Sequence, residues 1–420
     1  MNYKLSNANV YLDGKFTRRD LYVSGGKVLF SLNSDINTAT IDCSSCCIFP
    51  GFVDVHTHLR EPGFSYKETI KTGTMAAAKA GYNAIFTMPN LNPVPDTHEN
   101  LKVQIDLIER DAIIKVYPFA AITQGEKGSE IVDVDALSPL VKGFSDDGKG
   151  VQKDEMIKEA MLLAKENDQI IVAHCEDESL LFGGYIHDGE YAKAHGHKGI
   201  CSASEYKMVE RDLNLVEQTD VKYHVCHVST KETVELVRRA KAKGLSVTCE
   251  TGPHYLVLDD SMLIDDGAFK MNPPIRDKSD KLALIEGILD GTVEILATDH
   301  APHSFEEKSK GLKGSLNGIV GLETAFPVLY THLVKKGVLT LEKLIEIMSV
   351  NPSKRFNVEN EIKDGATANL VVFDLNYEYT VDTNEFLSMG KSSPFNGYKV
   401  FGKCLLNVCD GKVVYKDQKI

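Results

Sequence analysis

The stretch Gly51-Phe-Val-Asp-Val-His-Thr-His-Leu-Arg-Glu-Pro-Gly63 carries two histidines on either side of one threonine. Apolar and polar residues alternate through it, as in a short strand. Side chains two apart on a strand point the same way, so His56 and His58 face one point in space. Arg60 follows just past the strand end. Two imidazoles at that spacing can share a metal ion. Taken alone, the spacing fits equally well a strand that happens to carry two histidines. The acids and histidines that end later apolar segments tip the reading towards metal. They are Asp146 and Asp147, His174, His227 and Asp299. Even with only one of Asp146 and Asp147 facing inward, four histidines and two carboxylates exceed what one tetrahedral ion takes. They suit two divalent ions, most readily Zn2+, bridged by a carboxylate and a hydroxide.

The elements that must position these groups alternate between apolar strands and helical patterns. The strand-like segments are 51–58, 83–90, 115–122, 141–147, 170–174, 222–227, 246–250 and 294–299. Between the sixth and seventh lies a clear helix, Thr230 to Lys243. Ser229 and Glu232 have capping-box spacing there, and Gly244 suits its stop. Such alternation predicts a parallel sheet with crossover helices. Eight strands predict a closed (β/α)8 TIM barrel with its chemistry at the C-terminal strand ends, where the polar residues sit. Pro118 is awkward inside the third strand and marks an irregularity. Thr340 to Ser349 reads as one more helix near the barrel's end.

The two chain ends differ from this pattern. Asp13-Gly14 and Gly25-Gly26 are hairpin turn signals between alternating segments. Asn369-Leu-Val-Val-Phe-Asp374 and Cys404 to Tyr415 have the same character. Each end is too small to bury a core alone. They are expected to pair into one small β-sandwich domain, since chain termini often lie close together. The expected organisation is 1–50 and 356–420 in the small domain and 51–355 in the barrel.

Composition supports this. A chain of 420 residues with 43% hydrophobic and 25% charged residues can bury a large core. The formal net charge of -13, with no Lys/Arg block, argues against a nucleic-acid partner. It does not forbid an anionic substrate, because local charge decides that. Nine cysteines are an odd number, and the adjacent Cys46 and Cys47 would pair poorly, so free thiols in a reducing cytosol are expected. No apolar signal segment opens the chain and no run is long enough to span a bilayer, so a cytoplasmic protein without a membrane partner is expected.

Over essentially its whole length the chain resembles the amidohydrolase superfamily, and within it the dihydroorotases of the long bacterial type. The most specific pieces are Asp54-Val-His-Thr-His-Leu-Arg-Glu-Pro-Gly63, Thr87-Met-Pro-Asn90, Phe144-Ser-Asp-Asp-Gly148 and Ala297-Thr-Asp-His-Ala-Pro-His303. The resemblance implies His56, His58 and Asp299 on one ion, His174 and His227 on the other, and Asp147 as the bridge. Many relatives bridge with a carbamylated lysine, and Lys142 stands on the same strand; the Ser-Asp-Asp-Gly spacing favours Asp147. It further implies that Arg60, Asn90 and His303 grip a substrate carboxylate, for which a guanidinium offers a planar fork. His58, Asn272, Asn317 and Gly318 complete the implied substrate contacts. Asn317 replaces a commoner aromatic. Asn272 fits equally a simple turn before two prolines. His254 is expected behind the ligands rather than among them. The segment Ser304 to Gly318 reads either as a loop that closes over substrate or as a solvated connection.

The activity implied is that of a dihydroorotase: zinc-dependent, reversible opening of the cyclic amide of (S)-dihydroorotate to N-carbamoyl-L-aspartate, in de novo pyrimidine synthesis. Asp299 would carry the proton. An allantoinase or dihydropyrimidinase is the rival enzyme reading, although those relatives typically carry the lysine bridge. A non-catalytic scaffold for aspartate transcarbamoylase is the third, and such chains usually lose metal ligands. A homodimer is the expected assembly, and association with an aspartate transcarbamoylase stays open beside activity.

Overall fold

Short, largely buried parallel strands are what a sheet covered on both faces requires. The computed structural model describes residues 2–32 and 37–420. Its first three barrel strands, Phe52–Thr57, Tyr82–Thr87 and Lys115–Pro118, pair in parallel. Four more, Ile170–Ala173, Lys222–Val225, Val247–Thr251 and Ile295–Leu296, form a second parallel set. The fourth segment, expected as a strand over 141–147, contributes only Phe144, which bridges Ala120 on one side and Ile171 on the other. Thr57 bridges His300 across the last gap, and the His58 N–H donates to the His300 carbonyl at 2.8 Å. The eight positions therefore close into a (β/α)8 barrel. Pro118 sits at the last position of its strand, where the chain is leaving the ladder, so its missing N–H interrupts nothing upstream.

Helices return the chain between strands. Ile70–Ala80 starts at a Thr69/Thr72 capping box and stops at Gly81, whose φ of 96° is left-handed. A Cβ there would lie 2.9 Å from the Phe373 ring, so only glycine fits. The helix expected from Thr230 to Lys243 is Lys231–Ala242, and Gly244 follows with φ 82°. Its cap is Thr230, not Ser229: the Ser229 hydroxyl is drawn off to the buried Glu205 carboxylate. From Thr340 the final helix runs through Leu341–Ile345, a π turn at Glu346–Val350, and Asn351–Arg355.

The two chain ends form one sheet. Tyr3–Leu12, Lys15–Ser24 and Lys27–Leu29 are joined by the two expected hairpin turns. Leu370–Thr380, Lys399–Cys409 and Lys412–Lys416 continue it, because Cys47–Pro50 pairs with both Tyr3–Leu12 and Leu370–Thr380. Val28 and Leu406, from opposite ends of this strand order, share one apolar cluster, so the sheet curls over its own core. All nine cysteines are free, including Cys43 and Cys46, which stand in Cys-x-x-Cys spacing.

Aromatic rings weld this sheet to the barrel. Phe49 and Phe373 come from the sheet, Phe52 and Phe326 from the barrel, with centroids 4.6–5.8 Å apart. Asn407 donates to the carbonyls of Ala78 and Tyr82, and Asn83 returns a bond to Val408. Phe373 is buried against three of these rings, so Phe373→Ala should cost about 3–5 kcal/mol of stability. Denaturant titration measures this; a loss below about 1 kcal/mol would show that the interface repacks freely.

Candidate functional site

Where the barrel strands end, six side chains converge that water would otherwise keep apart. His56 and His58 lie two residues apart on the first strand and its exit, as alternation requires. His58 Nε2 is 3.1 Å from Asp299 Oδ1, and His56 Nε2 is 3.5 Å from the same oxygen. Asp147 lies between the two sets. Its Oδ2 is 3.5 Å from His58 Nε2; its Oδ1 is 3.4 Å from His56 Nε2 and 3.6 Å from both His174 Nδ1 and His227 Nε2. His174 Nδ1 and His227 Nε2 face each other at 2.8 Å. Ligand atoms of His56, His58 and Asp299 lie within 4.8 Å of one another, and so do those of His56, Asp147 and His227.

The donor set fits a metal ion on physical grounds. His56 Nε2 and Asp147 Oδ1 are buried and make no hydrogen bond although 3.4 Å apart. Buried polar atoms are rarely left so. Burial alone would drive protons off His56, yet Asp147, Asp299 and Glu250 raise its pKa well above the ordinary value. His174 is likewise lifted to about 10, against burial, by Asp147 and Glu176. Burial pushes the Asp147 and Asp299 carboxyls up, but the neighbouring imidazoles hold both below the usual carboxylate range. A field that favours protons on imidazoles favours a cation among them.

Partners behind these groups fix their orientation. His56 Nδ1 donates to Glu250 Oε1 at 2.6 Å, which leaves Nε2 aimed at the centre. His58 Nδ1 donates to Asn90 Oδ1 at 2.9 Å. Glu176 Oε2 is 3.7 Å from His174 Nε2, and its other oxygen accepts from Asn272 Nδ2 at 2.9 Å. The backbone is strained at the same places: Arg60, His227 and Asp299 have φ of 60°, 31° and 47°. Such conformations cost of order 1–3 kcal/mol each and cluster where side chains must be aimed.

Asp146, neighbour to Asp147, points the other way. Its carboxylate accepts from the N–H groups of Ile122 and Thr123 and holds a loop. Lys142 is remote: its Nζ contacts the Asn357 carbonyl at 3.5 Å and the Tyr117 ring, at the other end of the strands. His254 is buried, and burial takes its pKa down to about 3.

Beside the centre lies a cationic pocket. Arg60 is buried; burial lowers its pKa only to about 10, so it stays charged. Its Nε donates to the Pro302 carbonyl at 3.2 Å and its guanidinium lies 3.3 Å from His303 Nε2. Burial, with Arg60 and Lys67 nearby, lowers His303 to about 3, so the ring is neutral. Lys67 Nζ donates to His303 Nδ1 at 3.2 Å, and Nε2 therefore carries the proton given to the Asn317 carbonyl at 2.8 Å. The Gly318 N–H is bound to the Lys270 carbonyl, and a Cβ on Gly318 would lie 2.4 Å from the Ala301 carbonyl. The Asn317 side chain is exposed. The segment 304–318 is no unstructured loop. It holds two short helices, Phe305–Lys308 and Gly311–Gly314, with a Ser304/Glu307 capping box and a buried Leu312.

Sequence reasoning overlooked Glu250, Glu176 and Lys67. Glu250 closes an apolar strand and Glu176 stands two after His174, so alternation offered a signal for both. Nothing local marks Lys67, which arrives through a loop.

Comparison with known proteins follows this geometry. The dihydro-orotase-like family model matches residues 46–233. The dihydroorotase of Anoxybacillus flavithermus is 46% identical over 409 residues, covering 96% of each chain. That of Fusobacterium nucleatum is 44% identical over 419 residues, covering 99% of each. Among solved structures, the L-hydantoinase (dihydropyrimidinase) of Arthrobacter aurescens superposes with a TM-score of 0.88 at 26% identity, covering 99% of this chain and 96% of its own. The dihydropyrimidinase of Brevibacillus agri shares the fold, with a TM-score of 0.87 at 22% identity, covering 100% and 96%.

If Asp147 bridges and Lys142 stays apart, protein purified without chelator should hold about two metal equivalents, and Lys142→Ala should hold as many. Asp147→Ala should lose at least one. Metal analysis giving the opposite pattern would reverse the assignment.

Proposed function

The chain belongs to the dihydroorotase family, and we propose that it opens and closes the ring of (S)-dihydroorotate, with N-carbamoyl-L-aspartate as the other reactant. Membership makes it a cyclic amidohydrolase and implies pyrimidine biosynthesis; the step proposed is the third of the de novo route. The observation that carries the reading is a buried guanidinium, Arg60, beside a nest of four imidazoles and two carboxylates. Among the described residues no carboxylate ion-pairs with Arg60, so its charge is available to a substrate carboxylate.

His56, His58 and Asp299 would hold one divalent ion, His174 and His227 the other, with Asp147 between them; zinc suits this donor set. When bound, such ions supply Lewis acidity, making water more acidic and an amide carbonyl more electrophilic. The chain's own residues do the rest. Arg60, the Asn90 amide and the neutral His303 orient the substrate carboxylate, while Asn272 reaches the ring. His58 is fixed by Asn90 and faces the substrate from the metal side. Asp299, ionised at neutral pH, takes a proton from the attacking water on a carboxylate oxygen. It delivers that proton to the ring nitrogen as the carbon–nitrogen bond breaks, and ring closure runs the same steps backwards.

The hydantoinase and dihydropyrimidinase likeness makes neutral cyclic amides the natural controls. Purified protein should turn over dihydroorotate and carbamoyl-aspartate, and neither dihydrouracil nor allantoin at a comparable rate; the reverse preference would sink the assignment. Arg60→Lys keeps the charge and loses the bidentate fork. It should lower kcat/KM at least about tenfold, the worth of one charged hydrogen bond. Unchanged efficiency would remove Arg60 from the pocket.

Asn has nearly the shape of Asp but cannot accept the proton as a carboxylate does. Asp299→Asn should therefore keep its fold and the ion at His174 and His227. Its turnover should drop by about 10²–10⁴-fold in both directions. Near-normal turnover in a fully metallated variant would exclude Asp299 as the proton carrier.

A further inference from the structure

Glu250 is a fully buried carboxylate at the heart of the barrel, and no step of the proposed chemistry uses it. Its two oxygens meet three donors from two other strands. Oε1 accepts from His56 Nδ1 at 2.6 Å and from the His227 backbone N–H at 3.2 Å. Oε2 accepts from His224 Nε2 at 3.0 Å. The His224 ring is set in turn by Thr248, whose hydroxyl lies 2.8 Å from Nδ1. A carboxylate can only accept, so the proton of each bond is on the partner. His56 is thereby held with its proton on Nδ1, and its Nε2, buried and without a hydrogen-bond partner, points at Asp147 and Asp299.

We propose that Glu250 is the positioning residue of the metal centre. It fixes the tautomer and ring plane of His56 and, through the same oxygen, ties that histidine to the backbone that presents His227. One side chain thus sets the spacing between the ligands assigned to the two ions. The inference rests on the reading of His56 and His227 as ligands. The physical basis is general: a carboxylate behind a ligating imidazole raises its basicity and removes its freedom to rotate, and losing it typically costs about 10–100-fold in metal affinity. His224 is a bystander in this scheme. It occupies the oxygen that His56 does not use.

The test compares wild type, Glu250→Gln and His224→Gln as full chains. Zinc affinity is read by competition with a chromogenic chelator, with metal stoichiometry and circular dichroism measured alongside. The amide of Glu250→Gln is neutral and a weaker acceptor. It should lower zinc affinity by about 10–100-fold with the fold intact. His224→Gln should leave affinity within about threefold, because Glu250 keeps its bond to His56. Equal affinity for wild type and Glu250→Gln, each holding two ions, overturns the proposal alone. Wild-type protein that takes up no ion after supplementation overturns the metal-centre reading and this inference with it. Should Glu250→Gln fail to fold, nitrogen-15 histidine spectra of the wild type decide the matter. His56, assigned by its loss in His56→Asn, must show a protonated Nδ1 and a metal-shifted Nε2; the reverse pattern excludes a hold by Glu250.

Discussion

Asp147 is a carboxylate taken wholly out of water and set within 3.4–3.6 Å of four imidazoles. A buried charge of this kind is tolerated only when opposite charge surrounds it and the remaining lone pairs are used. The architecture of the barrel mouth answers that demand. Strand ends deliver the imidazoles; outside them Glu250 and Asn90 hydrogen-bond His56 and His58, and Glu176 stands 3.7 Å from His174. The left-handed backbone at Arg60, His227 and Asp299 is the local cost of aiming side chains inward from strands that would otherwise point them along the barrel wall.

That cost requires a rigid frame. One short seam of the barrel is between its last and first strands, where Ile295–Leu296 is only two residues long. Asp54 closes it, accepting from the N–H groups of His56 and Thr298 and from the Thr298 hydroxyl. Burial raises its pKa to about 7, so the seam is held by a carboxyl whose charge its donors barely sustain. Asp54 stands two residues before His56 and Thr298 directly before Asp299, so closing the seam also places these two side chains. The curled terminal sheet supports the opposite end through Phe49, Phe373 and Asn407.

Much of this was legible from residue spacing. The period of two that placed His56 and His58 on one face, and the Asp-Gly and Gly-Gly hairpins of the N-terminal sheet, are local rules, and local rules need only the sequence. The errors arose where distant residues decide. The alternation of strands and helices predicts a fourth strand over 141–147, but Gly143 and the outward turn of Asp146 leave Phe144 as its only ladder residue. Ser229 had the look of a helix cap until Glu205, far away in the chain, claimed its hydroxyl. The segment 304–318 lacks apolar periodicity because its short helices are held by polar bonds. Lys308 Nζ donates to the carbonyls of Lys270 and Leu316, and Asp265 accepts from the Leu312 N–H.

Net charge misleads for the same reason. At -13 the chain as a whole repels anions, yet a substrate carboxylate would meet only the field of its immediate pocket. There Arg60 keeps its charge, while His303 is held neutral by burial and by the two cations beside it. Glu307 is turned aside, paired with Lys67 at 3.0 Å and capping its own helix. Pairing Glu307 with Lys67 keeps that acid from Arg60, and a guanidinium without an ion-paired acid stays attractive to an incoming one. Low dielectric then strengthens that attraction beyond what any surface cluster of the same charges would have. On the proposed function, selectivity for an acidic ring substrate over a neutral cyclic amide would come down to which internal acid is denied to Arg60, a property of the pocket's pairing pattern and not of the overall composition.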